Sequence, residues 1–80
     1  MPVVRGDVRD KDTGEALPWT LVFIGDNRCN TDDRGCFEFV VPRGTYTCGM
    51  RHSHYEPLTQ QDVEVNEDVD LELRPIRARL

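Results

Sequence analysis

From Cys36 to Val41 the chain alternates, with Phe37, Phe39 and Val41 on one side and Cys36 and Glu38 on the other. A period of two suits a strand with one buried face and cannot build the apolar stripe of a helix. The same period recurs along most of the sequence. Val4, Gly6 and Val8 share one face of a first strand, and Thr20 to Gly25 forms a second after Leu17-Pro18. Arg28 to Thr31 makes a short third, Cys36 to Val41 a fourth, and Thr45 to His52 a fifth, with Tyr46, Cys48, Met50 and His52 on one side. Val63 and Val65 mark a sixth strand, and Val69, Leu71 and Leu73 a seventh.

Turn chemistry separates these runs. Asp10-Lys11-Asp12-Thr13-Gly14-Glu15 is polar and carries a glycine for a positive φ, and Pro42-Arg43-Gly44 and Asn66-Glu67-Asp68 also read as turns. Thr31-Asp32-Asp33-Arg34-Gly35 predicts a tight hairpin between strands three and four. No helical stripe of useful length occurs. Seven short strands with polar turns predict an all-β fold, a seven-stranded antiparallel β-sandwich with Greek-key connections. Eighty residues suffice for one domain, placed at 1–74, with 75–80 a C-terminal tail expected to fray.

Composition narrows the function. A 38% hydrophobic and 31% charged chain is balanced for a globular domain rather than a disordered one. The net charge of -5 repels phosphate backbones and disfavours nucleic acid. No apolar run reaches the length of a membrane span, and Met-Pro-Val-Val-Arg opens without the apolar core of a signal peptide. A complete chain is then expected in the cytoplasm, and an excised domain could belong outside it.

Several short motifs stand in a telling order: Val4-x-Gly6-x-Val8-x-Asp10, Thr13-Gly14-Glu15-Ala16-Leu17-Pro18, Thr31-Asp32-Asp33-x-Gly35-x-Phe37 and Pro42-x-Gly44-Thr45-Tyr46. Tyr55-x-Pro57 and Val69-x-Leu71-x-Leu73 follow. Together, over roughly residues 3 to 74, they resemble the carboxypeptidase regulatory-like domain, one of the transthyretin-like or prealbumin-like sandwiches. The resemblance implies a module appended to peptidases, surface proteins or outer-membrane receptors, with no catalytic residues of its own. Each motif also has a local reason. Gly6 implies close approach of a neighbouring group, with Tyr46 one candidate, and Tyr46 can bury its ring while its hydroxyl reaches a carbonyl.

Candidate chemistry is sparse, and no cofactor is expected. His52 and His54 face the same side of an extended segment and, with Cys48, could supply nitrogen and sulfur to a transition metal. A solvated pair at a strand end explains them equally. Asp10-x-Asp12-x-Gly14-Glu15 faintly follows a calcium loop but lacks the distal bidentate glutamate. Cys48 shares the face of Tyr46 and Met50, which makes it an inert core thiol, and no cysteine or serine has a matched base and acid. Three cysteines leave at least one thiol unpaired within the chain, and Cys29 and Cys36 come close to one another only in a shifted register. An enzyme is not expected.

The unusual feature is strand two. Leu17, Val22 and Ile24 satisfy its inner side, yet Trp19, Leu21 and Phe23 fall on the other, where polar residues are expected. Either the tail covers them with Ile76 and Leu80, or they form an interaction face for a neighbouring domain, a partner protein or a second copy. The alternative is a small ligand or metal held around His52 and His54.

Overall fold

A computed structural model of the chain describes residues 1–79. All regular elements among them are strands: β1 (Val3–Val8), β2 (Leu21–Ile24), β3 (Asn27–Asn30), β4 (Cys36–Val40), β5 (Gly44–Arg51), β6 (Leu58–Val65) and β7 (Val69–Leu73). They form two sheets, ordered β4-β1-β7 and β3-β2-β5-β6. The alternation predicted from sequence is the pattern of burial. Phe37 and Phe39 point inward from β4 while Cys36 and Glu38 face solvent, and Val69, Leu71 and Leu73 do the same on β7.

The core lies between the sheets. Val4, Val8, Phe37, Leu71 and Leu73 meet Val22, Ile24, Cys48, Met50 and Val65 in one cluster, with Tyr55 closing one margin. Burial of that apolar surface is the main favourable contribution to the fold. Gly6 is needed because a Cβ there would stand 1.8 Å from the Leu71 carbonyl oxygen and 2.9 Å from the Phe37 ring. The close neighbours are therefore β7 and Phe37, not Tyr46. The Tyr46 ring instead covers Gly25 and its hydroxyl donates to the Pro42 carbonyl at 2.6 Å, the bond expected for it.

Three expectations change. Strand pairing is antiparallel except between β1 and β7, which run parallel from Val4–Val69 to Val8–Leu73. The 31–35 turn does not join paired strands of one sheet. Asp32 N–H bonds the Cys36 carbonyl as in a hairpin, but β3 is the edge of one sheet and β4 the edge of the other. The turn is a corner, shaped by the Asp32 carboxylate, which accepts from the Arg34 and Cys36 amides, and by Gly35 at φ 76. Finally, residues 75–78 of the tail are not frayed. The Pro75 carbonyl accepts from the Lys11 amide, the Ile76 carbonyl from the Glu56 amide, and Ala78 N–H donates to the His54 carbonyl.

Candidate functional site

β2 is a short central strand whose inner residues, Val22 and Ile24, are fully buried. Its outer residues are Leu21 and Phe23, both half-buried. Across the sheet Leu21 stands opposite Asn30 and Arg51, and Phe23 opposite Arg28 and Gly49. A Cβ on Gly49 would lie 2.7 Å from the Phe23 ring, so that ring rests on the glycine backbone of β5. Gly49 thus makes a flat seat, and the two apolar side chains form a strip along β2 flanked by exposed arginines. Leu21, Phe23, Gly25, Arg28 and Arg51 line one shallow depression.

Trp19 does not sit on this strand. β2 begins at Leu21 rather than Thr20, and Trp19 occupies the preceding turn at φ 58. The cause lies beside it. Thr31 Oγ1 accepts from the Thr20 amide at 2.8 Å and donates to the Leu17 carbonyl at 2.8 Å, and Thr20 Oγ1 donates to the same carbonyl. This buried knot pulls residues 17 to 20 inward and leaves Trp19 68% exposed at the end of β2. A bulky residue in the left-handed region is a true outlier, and such conformations persist only where the surroundings impose them.

Among the described residues the tail does not close over the strip. Its bonds hold it against Lys11, His54 and Glu56, and Ile76 lines a separate depression with Pro57 and Leu58. Leu80, the other expected cover, lies outside the described residues.

The histidine region is differently built. The His52 and His54 rings are 5.6 Å apart, and His52 Nδ1 accepts the His54 amide. Partial burial, followed by the nearby His54, holds the His52 imidazolium below its ordinary pKa. Cys48 is fully buried in the core, where desolvation pushes its thiol pKa up. Among the described residues no three His, Cys, Asp or Glu side chains are grouped to hold a metal ion, so the structure does not assemble Cys48, His52 and His54 into one site. Cys29, half-buried at the β3 edge, and the exposed Cys36 line the same cleft between β3 and β4 as free thiols.

The acidic 10–15 turn has a role that sequence reasoning missed. Asp10 is only 3% exposed. Its Oδ1 accepts from the Asp12 and Thr13 amides, and its Oδ2 accepts the Tyr55 hydroxyl at 2.7 Å. Both carboxylate oxygens are engaged within the chain, which is the work of a structural turn rather than a calcium loop. The Tyr55 hydroxyl, then the two amides, hold the Asp10 carboxyl below the usual range. The same bond raises the Tyr55 phenol. The aspartate and the tyrosine are forty-five residues apart, so local spacing could not show that they pair.

Sheets of three and four strands packed on one apolar core define a β-sandwich domain. More narrowly, the chain belongs to the carboxypeptidase regulatory-like domain family, whose model matches residues 3–76. Among solved structures it is similar to a chain of the C-terminal interface mutant of a type II cohesin–X-dockerin complex from Acetivibrio cellulolyticus. That match has 24% identity and a TM-score of 0.76 over 95% of this chain and 56% of the other. The N-terminal interface mutant of that complex gives 25% identity and a TM-score of 0.75, with the same two coverages. A membrane-associated protein of unknown function from Bacteroides fragilis gives 16% identity and a TM-score of 0.71, covering 98% of this chain and 28% of that one. The chain therefore spans little more than half of the first two and under a third of the last. No curated protein matches it.

Proposed function

We propose that this domain is a non-catalytic interaction module that docks a protein partner, or a neighbouring domain, through Trp19 and the outer face of β2. The observation that carries the reading is Trp19 itself, an indole 68% exposed and held at φ 58 in the turn that leads into β2. Tryptophan is among the side chains most enriched in residues that dominate binding energy, and here it precedes a strand whose outer residues Leu21 and Phe23 are also apolar. The family and the similar sandwiches found in a cohesin–X-dockerin complex lend the reading support.

Trp19 is the only tryptophan, so its emission reports docking directly. A random peptide library selected against the whole chain supplies ligands whose footprint is mapped from backbone amide shifts. The expected footprint covers Trp19, Leu21 and Phe23, with a blue shift of Trp19 emission. A footprint confined to His52 and His54 would support the ligand-binding alternative and sink this one.

A further inference from the structure

The arginines beside the β2 strip differ from those of the other sheet. On the β4-β1-β7 sheet or just past the ends of its strands, Arg5, Arg9 and Arg74 each lie within reach of a carboxylate, at 3.9 Å from Glu38, 3.3 Å from Asp7 and 2.8 Å from Asp7. Arg28 and Arg51, both exposed, have no ion pair among the described residues. The register places them on opposite sides of β2, Arg28 level with Phe23 and Arg51 level with Leu21. Their Cα atoms are thus two strand spacings apart, about 10 Å across the sheet, with apolar side chains between them. This is a small positive, apolar area on a chain of net charge -5.

That contrast has a direction. The net charge of the molecule repels an acidic partner while the two arginines beside the apolar strip attract one, so the field favours docking at this face. Guanidinium groups bind carboxylates through paired N–H donors, and desolvation beside Leu21 and Phe23 strengthens such bonds. We infer that the outer face of β2 takes an acidic, apolar segment of a partner protein, its apolar side chains on Leu21 and Phe23 and its carboxylates on Arg28 and Arg51. This rests on the docking reading above and names the partner's chemistry.

Two synthetic peptides test it, one alternating Glu with Val and one alternating Lys with Val, each titrated against the full chain. Trp19 emission and the Leu21 and Phe23 amide shifts are followed. The Glu peptide is expected to bind at least about tenfold more tightly than the Lys peptide, a difference that shrinks with added salt. Arg28→Glu combined with Arg51→Glu reverses the preference. Both positions are exposed, and the paired Arg28→Gln and Arg51→Gln variant removes the charge if reversal disturbs folding. Equal affinity for the two peptides, no binding of either, or a preference unchanged in the variants overturns the inference. A stronger response to a thymidine oligonucleotide than to the Glu peptide overturns it too, in favour of a phosphate-bearing partner. Library peptides that footprint on Trp19, Leu21 and Phe23 without acidic enrichment leave the docking face standing and remove only its preference for carboxylates.

Discussion

A tryptophan at φ 58 crowds its own Cβ against the backbone, a conformation that costs about 1–3 kcal/mol outside glycine. The 68% exposed indole recovers little of that by burial. Trp19→Gly should therefore leave stability unchanged or raise it by up to about 1 kcal/mol, while abolishing peptide docking. A urea unfolding curve beside the peptide titration separates the two effects, and a clear loss of stability would mean that the ring is part of the core. Gly6 presents the opposite case. Gly6→Ala places a methyl group against the Leu71 carbonyl and the Phe37 ring, and should cost about 1–3 kcal/mol or prevent folding outright. The difference between the two sites is legible only in part from sequence. A glycine within an alternating strand announces close packing, whereas nothing in Pro18-Trp19-Thr20 announces a left-handed tryptophan, because the Thr20–Thr31 bonds that impose it reach eleven residues along the chain.

At the scale of elements, alternation revealed β1, β4 and β7 almost to their ends, and Phe37 with Phe39 needed nothing beyond their spacing. It could not reveal partners. The 31–35 turn has the same local residues whether its flanking strands pair or separate into two sheets, and the choice is made by β1, which takes β4 from the front while β2 holds β3. The outer strip of β2 was visible as apolar residues in polar positions. Its flanking arginines were not, since their placement depends on registers with β3 and β5. The order of the tail is hidden from sequence for a similar reason: its anchors are carbonyls and amides of distant loops. Truncation after Arg74 removes the Pro75, Ile76 and Ala78 backbone bonds, three in all, and should lower stability by about 2–4 kcal/mol. Amide hydrogen exchange should then rise at Lys11 and Glu56. Unchanged protection there would show that the tail contributes nothing to those loops. Tyr55→Phe should loosen the same corner by freeing Asp10 Oδ2, visible as faster exchange at Asp12 and Thr13.

Over the whole molecule, the shifted groups that titrate between neutral and acid pH act in one sense, while Tyr55 and the Cys29 and Cys48 thiols, raised by their surroundings, titrate on the alkaline side. His52 is held below its ordinary pKa, and Asp10 and Asp32 below theirs. In each case the unfolded chain takes up protons before the folded one, so stability rises with pH across the interval between the two pKa values. The His52 contribution is complete above about pH 6.5 and is lost as pH falls below it; the two carboxylate contributions are complete above about pH 4 and are lost below that. A series of urea midpoints from neutral to acid pH should fall in those two steps. Asp10→Asn and Asp32→Asn should each flatten the lower one, and an unchanged acid limb would show that neither turn depends on its charge.

The parallel β1–β7 ladder has a mechanical meaning. The first and last strands lie side by side and point the same way, so the end that leads into β1 and the end that leaves β7 emerge from opposite poles of the sandwich. Tension applied through those ends pulls β1 and β7 past each other along their length. Every hydrogen bond of the ladder from Val4–Val69 to Val8–Leu73 is then loaded together, in shear, instead of opening one after another like a zip. A chain threaded through this domain is thereby given a joint that resists stretching along its own axis.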